Sequence, residues 1–393
     1  MTPILFHGGP VCTRGGYLPR GWLQADGGRI AALGEGDPPA GLAGQRVNLA
    51  GRTLAPGFID LHAHGAVGAD TMDATPAALR AMARFYARHG VTGFLATTVT
   101  SSLAGVLAAL QNVSTTMAEG TGGAALLGAH VEGPFLDPGR LGAQDAAHVR
   151  AAALDELHPL LDTGVVRMLT LAPELPGAGA LLEAATARGA VVSAGHTRAT
   201  YEEMAAAAQR GLRHVTHLFN GMEPLHHRQP GVVGAALAMS GLTCELIADN
   251  IHVHPGALLL AWRAKGTDAI ALVTDAMRGA GMPDGQYTLG GLGVTVQGGV
   301  ARLASGNLAG STLTLERALA NMMAATGLPL PEALPMATAV PARELGLLGR
   351  KGSLAVGLDA DLIVLNADLQ VDLTVVGGEI VYASGALPIT GLA

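Results

Sequence analysis

Aromatic side chains are scarce, at 3% of 393 residues. Proteins that stack nucleobases or long glycans need ring platforms, so that mode of binding is not expected. Only two cysteines occur, Cys12 and Cys244. One pair could form, but no disulfide framework can, and a reducing, cytoplasmic setting is the simplest expectation. Positive charge is in deficit. The 24 Lys+Arg face 31 Asp+Glu, a net charge of −7, which argues against a nucleic-acid partner. Long apolar runs are missing as well. Uncharged stretches such as Gly231–Cys244 are shorter than the roughly 18 residues a membrane span needs and are broken by glycine. The opening MTPILFHGGP lacks a basic segment followed by an apolar one, so no secretion signal is expected.

What is present is a large apolar content. Hydrophobic residues make up 49% and charged residues 14%, a balance that excludes intrinsic disorder. The length predicts one large domain plus a smaller one. The middle of the chain alternates strand-like apolar runs with helical stretches. The runs are Phe58–His64, Thr92–Thr100, Ala125–Pro134, Val166–Glu174, Ala190–Thr197, His214–Asn220, Thr243–Val253 and Ala269–Met277. Continuous apolar strands alternating with helices imply a parallel sheet covered on both faces. Eight such units predict an α/β fold of the (β/α)8 TIM-barrel type. Helix signals support this. Pro76–His89 has helical apolar spacing and stops at Gly90, and Thr200 to Glu203 is a capping-box pattern. Both ends read as short strands between Gly, Pro and Asp, with Gly377-Gly378 as a hairpin signal. Neither end could bury a core alone. The expected division is therefore a small β-sandwich domain from residues 1–52 and 343–393, around a barrel from 53–342.

Catalytic groups of such barrels sit at the C-terminal ends of the strands. Here those ends carry Asp60, His62 and His64, then Glu132, His196, His217, Asp249 with His252, and Asp275. Unpaired charge is costly to bury, so packing alone explains this ring poorly. His62 and His64 are at i and i+2 and share a face. His130 lies deeper in its run than Glu132 and reads as core or as support for a ligand. His217 is nearer its strand end than His214, which takes the structural role. Imidazole and carboxylate ligands suit a catalytic divalent metal of the Zn or Fe kind. Asp275 reads either as a helix N-cap or as the general base for a metal-activated water. Arg228, with His252, Asn220 and the Gly310-Ser311-Thr312 turn, makes an anion pocket plausible. No Walker-type phosphate loop is present.

The segments PGFIDLHAHG, HVEGPF, SAGHT, HLFNGM, IADNIHV, LVTDAM and LAGSTLT occur in that order. In this the chain resembles the N-acetylglucosamine-6-phosphate deacetylases of the amidohydrolase superfamily, over nearly its whole length. The resemblance implies a firm metal site at Glu132, His196 and His217. It implies a second at His62 and His64, and a catalytic role for Asp275. Substrate-binding segments would be Ala143 and Gln144, Asn220 and Gly221, Arg228, Asn250, Ile251 and His252, and Leu308, Ala309 and Gly310. Gln144 stands where some members have histidine, and Gly221 where alanine is commoner. The implied substrate is a small phosphorylated amino sugar, in amino-sugar catabolism and cell-wall recycling, and the implied assembly is a homodimer. Another amidohydrolase acting on a different small amide or cyclic amide is the rival reading. A non-enzymatic barrel would be expected to have lost ligands, and none is lost here.

Overall fold

The structure, a computed structural model, describes residues 2–390. Its centre is an eight-stranded sheet in which each strand pairs with the next in sequence. The strands are Phe58–Ala63, Val91–Thr98, Ala125–Glu132, Val166–Leu171, Val191–Ala194, His214–Val215, Thr243–Leu246 and Ile270–Leu272. Each falls within one of the predicted runs or within a residue of it. All the pairings are parallel. The cylinder closes through a parallel bridge between Ala63 and Ala276 and a bond from the Asp275 N–H to the His62 carbonyl at 2.8 Å. This is the TIM-type barrel expected from the alternation. Nearly every strand residue is buried, because helices cover the outside while side chains fill the inside.

The predicted helix signals act as read. Pro76–Arg88 starts on Thr75, whose hydroxyl accepts the Ala78 N–H. Tyr201–Gln209 opens on a reciprocal capping box between Thr200 and Glu203. Among the described residues, no helix is long and apolar enough to cross a membrane.

The two chain ends share one nine-stranded sheet. Thr53–Pro56 lies inside it, parallel to Ile4–Thr13 at one contact and antiparallel to Leu362–Leu365. Phe6, Leu23, Val47 and Leu54 from one end join Leu362, Val364 and Leu373 from the other in a single buried cluster. Gly377 and Gly378 make the two-residue turn before Glu379–Ala383, with φ of +54° and +83°. Two successive positive φ angles are what this tight hairpin requires and what glycine permits.

One element has no counterpart among the sequence expectations. After the eighth strand, Gly285–Leu289, Leu292–Gln297 and Val300–Leu303 form a separate antiparallel sheet. It carries Leu289 to the rim of the barrel mouth. Its strands are half-buried and alternate exposed with buried positions, most clearly in Leu292–Gln297, unlike the continuous apolar runs that mark the barrel strands.

Candidate active site

The C-terminal ends of five barrel strands bring His62, His64, Glu132, His196, His217 and Asp275 together. His196, His217 and Asp275 lie just beyond their strands at φ of +49°, +31° and +48°. Left-handed backbone costs a residue with a Cβ roughly 1–3 kcal/mol and tends to persist at functional sites. No helix begins after Asp275, which removes the N-cap reading.

Glu132 stands between two clusters. Its Oε1 is 3.2 Å from His196 Nε2 and 3.1 Å from His217 Nε2, and those two nitrogens are 3.1 Å apart. Its Oε2 is 3.4 Å from His64 Nε2, and Gln144 Nε2 donates to it at 2.5 Å. Asp275 Oδ1 lies 3.2 Å from His64 Nε2 and 3.6 Å from His62 Nε2. Each triad, His62–His64–Glu132 and Glu132–His196–His217, could hold a metal ion.

The hydrogen bonds behind the rings fix which nitrogen faces inward. His62 Nδ1 meets Glu245 at 3.0 Å, His64 Nδ1 the Thr97 carbonyl at 3.3 Å, and His196 Nδ1 the Arg140 carbonyl at 2.9 Å. Only an N–H satisfies these oxygens, so each Nδ1 carries the proton and each Nε2 presents a lone pair. Lone pairs and carboxylate oxygens crowded this closely need positive charge between them. The demand for positive charge shows at His62. Burial would lower that imidazole, yet Glu132, Glu245 and Asp275 push it up to about 10, so that without an ion a second proton takes the place on Nε2 that a cation would otherwise fill. The residues therefore fit a divalent cation.

Burial would raise the Glu132 carboxyl, but His62, His196 and His217 hold it well below the usual range. Asp275 is likewise depressed against its burial by His62 and His64. Both are anionic at neutral pH. His130 is pushed down to about 3, chiefly by burial. It rests on Thr170 Oγ1 at 2.7 Å and the Leu61 carbonyl at 3.0 Å, the supporting place expected of it.

A cavity of about 550 Å³ opens over this ring. Of the expected substrate positions, Ala143, Gln144, Asn220, Gly221, His252, Leu308 and Gly310 line it. Four do not. Arg228 is exposed, its Nη1 2.7 Å from His227 Nε2. Asn250 and Ile251 face outward on the next loop, Ile251 with 44% of its surface exposed. Ala309 is buried, its N–H bonded to the Ala301 carbonyl. His252 is held by Asp249 at 2.6 Å.

Two participants escaped the sequence reading. Arg140, on the loop after the third strand, lines the cavity and pairs with Glu223, Nε to Oε1 at 3.1 Å. The Pro138-Gly139 turn before it was the available signal. Glu245, in the middle of the apolar seventh strand, is fully buried; a lone carboxylate in such a run is itself the signal.

Below Glu245, His214 bridges two acids, with Nε2 3.3 Å from Glu245 and Nδ1 3.1 Å from Glu344. Burial would lower the His214 imidazole, but the two acids raise it from 6.5 to about 9. A raised histidine contributes stability that is complete below its unfolded value and lost as pH climbs through the folded one. Thermal unfolding of the wild type is thus expected to lose stability between about pH 6.5 and 9. A His214→Gln variant should start lower and show a flatter decline. Parallel melting curves across that window would refute the assignment.

The Amidohydrolase family model matches residues 53–381. The chain is 42% identical to an N-acetylglucosamine-6-phosphate deacetylase from Vibrio furnissii, over 85% of this chain and 84% of that one. It is 40% identical to an N-acetylgalactosamine-6-phosphate deacetylase from Escherichia coli O157:H7, over 97% and 99%. It also resembles the solved structure of a Mycobacterium smegmatis N-acetyl-D-glucosamine-6-phosphate deacetylase, an aspartate-to-alanine mutant in complex with N-acetyl-D-glucosamine-6-phosphate. That match has a TM-score of 0.92 and 36% identity, and covers 98% of this chain and 100% of the other.

Proposed function

Since the chain belongs to the amidohydrolase family, among the N-acetylglucosamine-6-phosphate deacetylases, we propose that it hydrolyses the acetamide of N-acetyl-D-glucosamine 6-phosphate. The products are D-glucosamine 6-phosphate and acetate. The observation that carries this reading is the convergence of Glu132, His196 and His217 beside the anionic Asp275, on the floor of a cavity wide enough for a sugar phosphate.

Glu132, His196 and His217 would hold the principal divalent ion, Zn²⁺ or Fe²⁺ by ligand type, and His62 with His64 a second. When bound, such an ion would supply polarisation of the amide carbonyl and a water whose pKa falls to about 7. Asp275 takes the proton from the attacking water on its carboxylate, then delivers it to the departing amine nitrogen. Asn220, Gly221, Gln144, Leu308 and Gly310 enclose the sugar and hold the amide over the metal ligands. His252, oriented by Asp249, faces the phosphate. Arg228 supplies the charged fork for that phosphate across a homodimer interface, which accounts for its exposure in the single chain. The setting is the cytoplasm.

The test compares two sugars. Arg228→Ala should lower kcat/KM for the 6-phosphate by about ten- to a hundredfold, since charged hydrogen bonds contribute roughly 1.5–3 kcal/mol. Arg228→Lys keeps the charge but not the fork and should lose less. Unphosphorylated N-acetylglucosamine, a poor substrate throughout, should barely change. Equal losses on both sugars would remove Arg228 from the phosphate site. The Escherichia coli relative makes N-acetylgalactosamine 6-phosphate a third sugar to assay.

A further inference from the structure

Glu245 does not line the cavity, so it cannot touch the substrate. A buried carboxylate is expensive unless its oxygens are occupied, and here one oxygen does two tasks. Glu245 Oε2 lies 3.0 Å from His62 Nδ1 and also accepts the backbone N–H of His217 at 3.1 Å. A single atom thereby ties a ring from one candidate metal cluster to the main chain of the other.

We propose that Glu245 is the positioning residue of the metal centre. It holds His62 with Nδ1 protonated and Nε2 aimed inward, and it anchors the bend that presents His217. The inference rests on the metal reading given above.

The chain behind Glu245 supports this. Its Oε1 faces His214 Nε2 at 3.3 Å, and His214 Nδ1 faces Glu344 at 3.1 Å. Glu344 in turn accepts from the Thr243 hydroxyl at 2.9 Å and from Arg343 Nη2 at 3.0 Å. Glu245 is thus braced from below by groups that never reach the cavity. The two oxygens separate the roles: Oε2 serves the metal ligands, and Oε1 serves the scaffold. His62 depends on Glu245 for its ring orientation. His217 receives only a backbone contact. The His62–His64 cluster should therefore suffer most when the carboxylate is lost.

Removing groups that orient a ligand typically costs about 10–100-fold in metal affinity. Glu245→Gln keeps the volume and removes the charge; Glu245→Leu removes the contacts altogether. Zinc titration into metal-free, full-length protein reads the stoichiometry and both affinities. The wild type is expected to take two ions. Each Glu245 variant should bind the weaker ion about ten- to a hundredfold less tightly, with Leu losing more than Gln and the first ion changing little. His214→Gln is the control for a purely structural role, because it breaks the scaffold side and leaves Oε2 in place. It should lower the melting temperature and retain both ions.

A second readout needs no metal. Ring-nitrogen NMR of the metal-free wild type should show a hydrogen-bonded, slowly exchanging Nδ1–H on His62, facing Glu245. That protected proton is expected to be lost in Glu245→Leu, or in Glu245→Gln should the leucine variant not fold. Two ions bound with unchanged affinity in the Glu245 variants would overturn the positioning role while leaving the metal reading intact. So would zinc losses in His214→Gln equal to those in Glu245→Gln. A wild type that binds no metal would instead sink the underlying reading, and one that takes a single ion would sink the second site and this proposal together.

Discussion

Replacing His196 or His217 by alanine is expected to strip the principal metal and all but abolish turnover while the barrel stays folded. Their Nε2 atoms are 3.1 Å apart, and both lie within 3.2 Å of Glu132 Oε1. Deleting either leaves two donors where three converged. Losing an orienting partner already costs about 10–100-fold in metal affinity, so losing a direct ligand should cost at least as much. Without the ion, water returns from a pKa near 7 toward about 16, and kcat/KM should fall by more than about a thousandfold. The fold should survive because both residues sit past the strand ends, outside the packed layers. Metal analysis, a melting curve and an acetate-release assay on the same preparation check this. Full activity from a chelated, metal-free wild type would refute the mechanism outright.

Asp275→Asn is expected to separate metal binding from chemistry. The substitution is nearly isosteric, keeps one oxygen toward His64, and removes the ability to accept a proton. General acid–base groups contribute about 10²–10⁴-fold, and kcat should fall by that range. Metal content and KM should stay close to wild type. The wild-type pH profile gives a second check. Asp275 works as an anion, and His62 and His64 hold its carboxyl below the usual value despite burial. Protonation therefore switches the base off on acidification, and the acid limb should lie below the ordinary carboxylate range. That limb should vanish from the residual activity of Asp275→Asn. An asparagine variant with undiminished kcat would reassign the proton transfer to another group.

The barrel was legible because its signals are local. Continuous apolar runs mark strands buried on both faces, Thr200 and Glu203 cap their own helix, and Gly377-Gly378 turns its own hairpin. Strand ends in a parallel barrel all open on one mouth, so histidines and acids ending those runs had to share it. Spacing alone could therefore bring His62, His64, Glu132, His196, His217 and Asp275 to one place. Other features depend on long-range approach, which periodicity does not encode. The terminal sheet needs Thr53–Pro56 to meet Leu362–Leu365 across some 300 residues. The half-buried sheet from Gly285 to Leu303 alternates exposed and buried residues, a period that a search for continuous apolar runs passes over. Arg228 reads as a cavity residue from its nearness in sequence to Asn220, yet its loop carries it outward. Arg140 lies some 80 residues from Glu223 in the chain and enters the cavity because the loop after the third strand folds over the mouth. Which nitrogen of His62, His64 and His196 faces inward is likewise a tertiary property. It follows from the acceptors behind the rings, Glu245, the Thr97 carbonyl and the Arg140 carbonyl, and those are supplied by other strands and loops. Residue types and their period determined the scaffold and the donor set; only the closed barrel decided which lone pairs point at a cation.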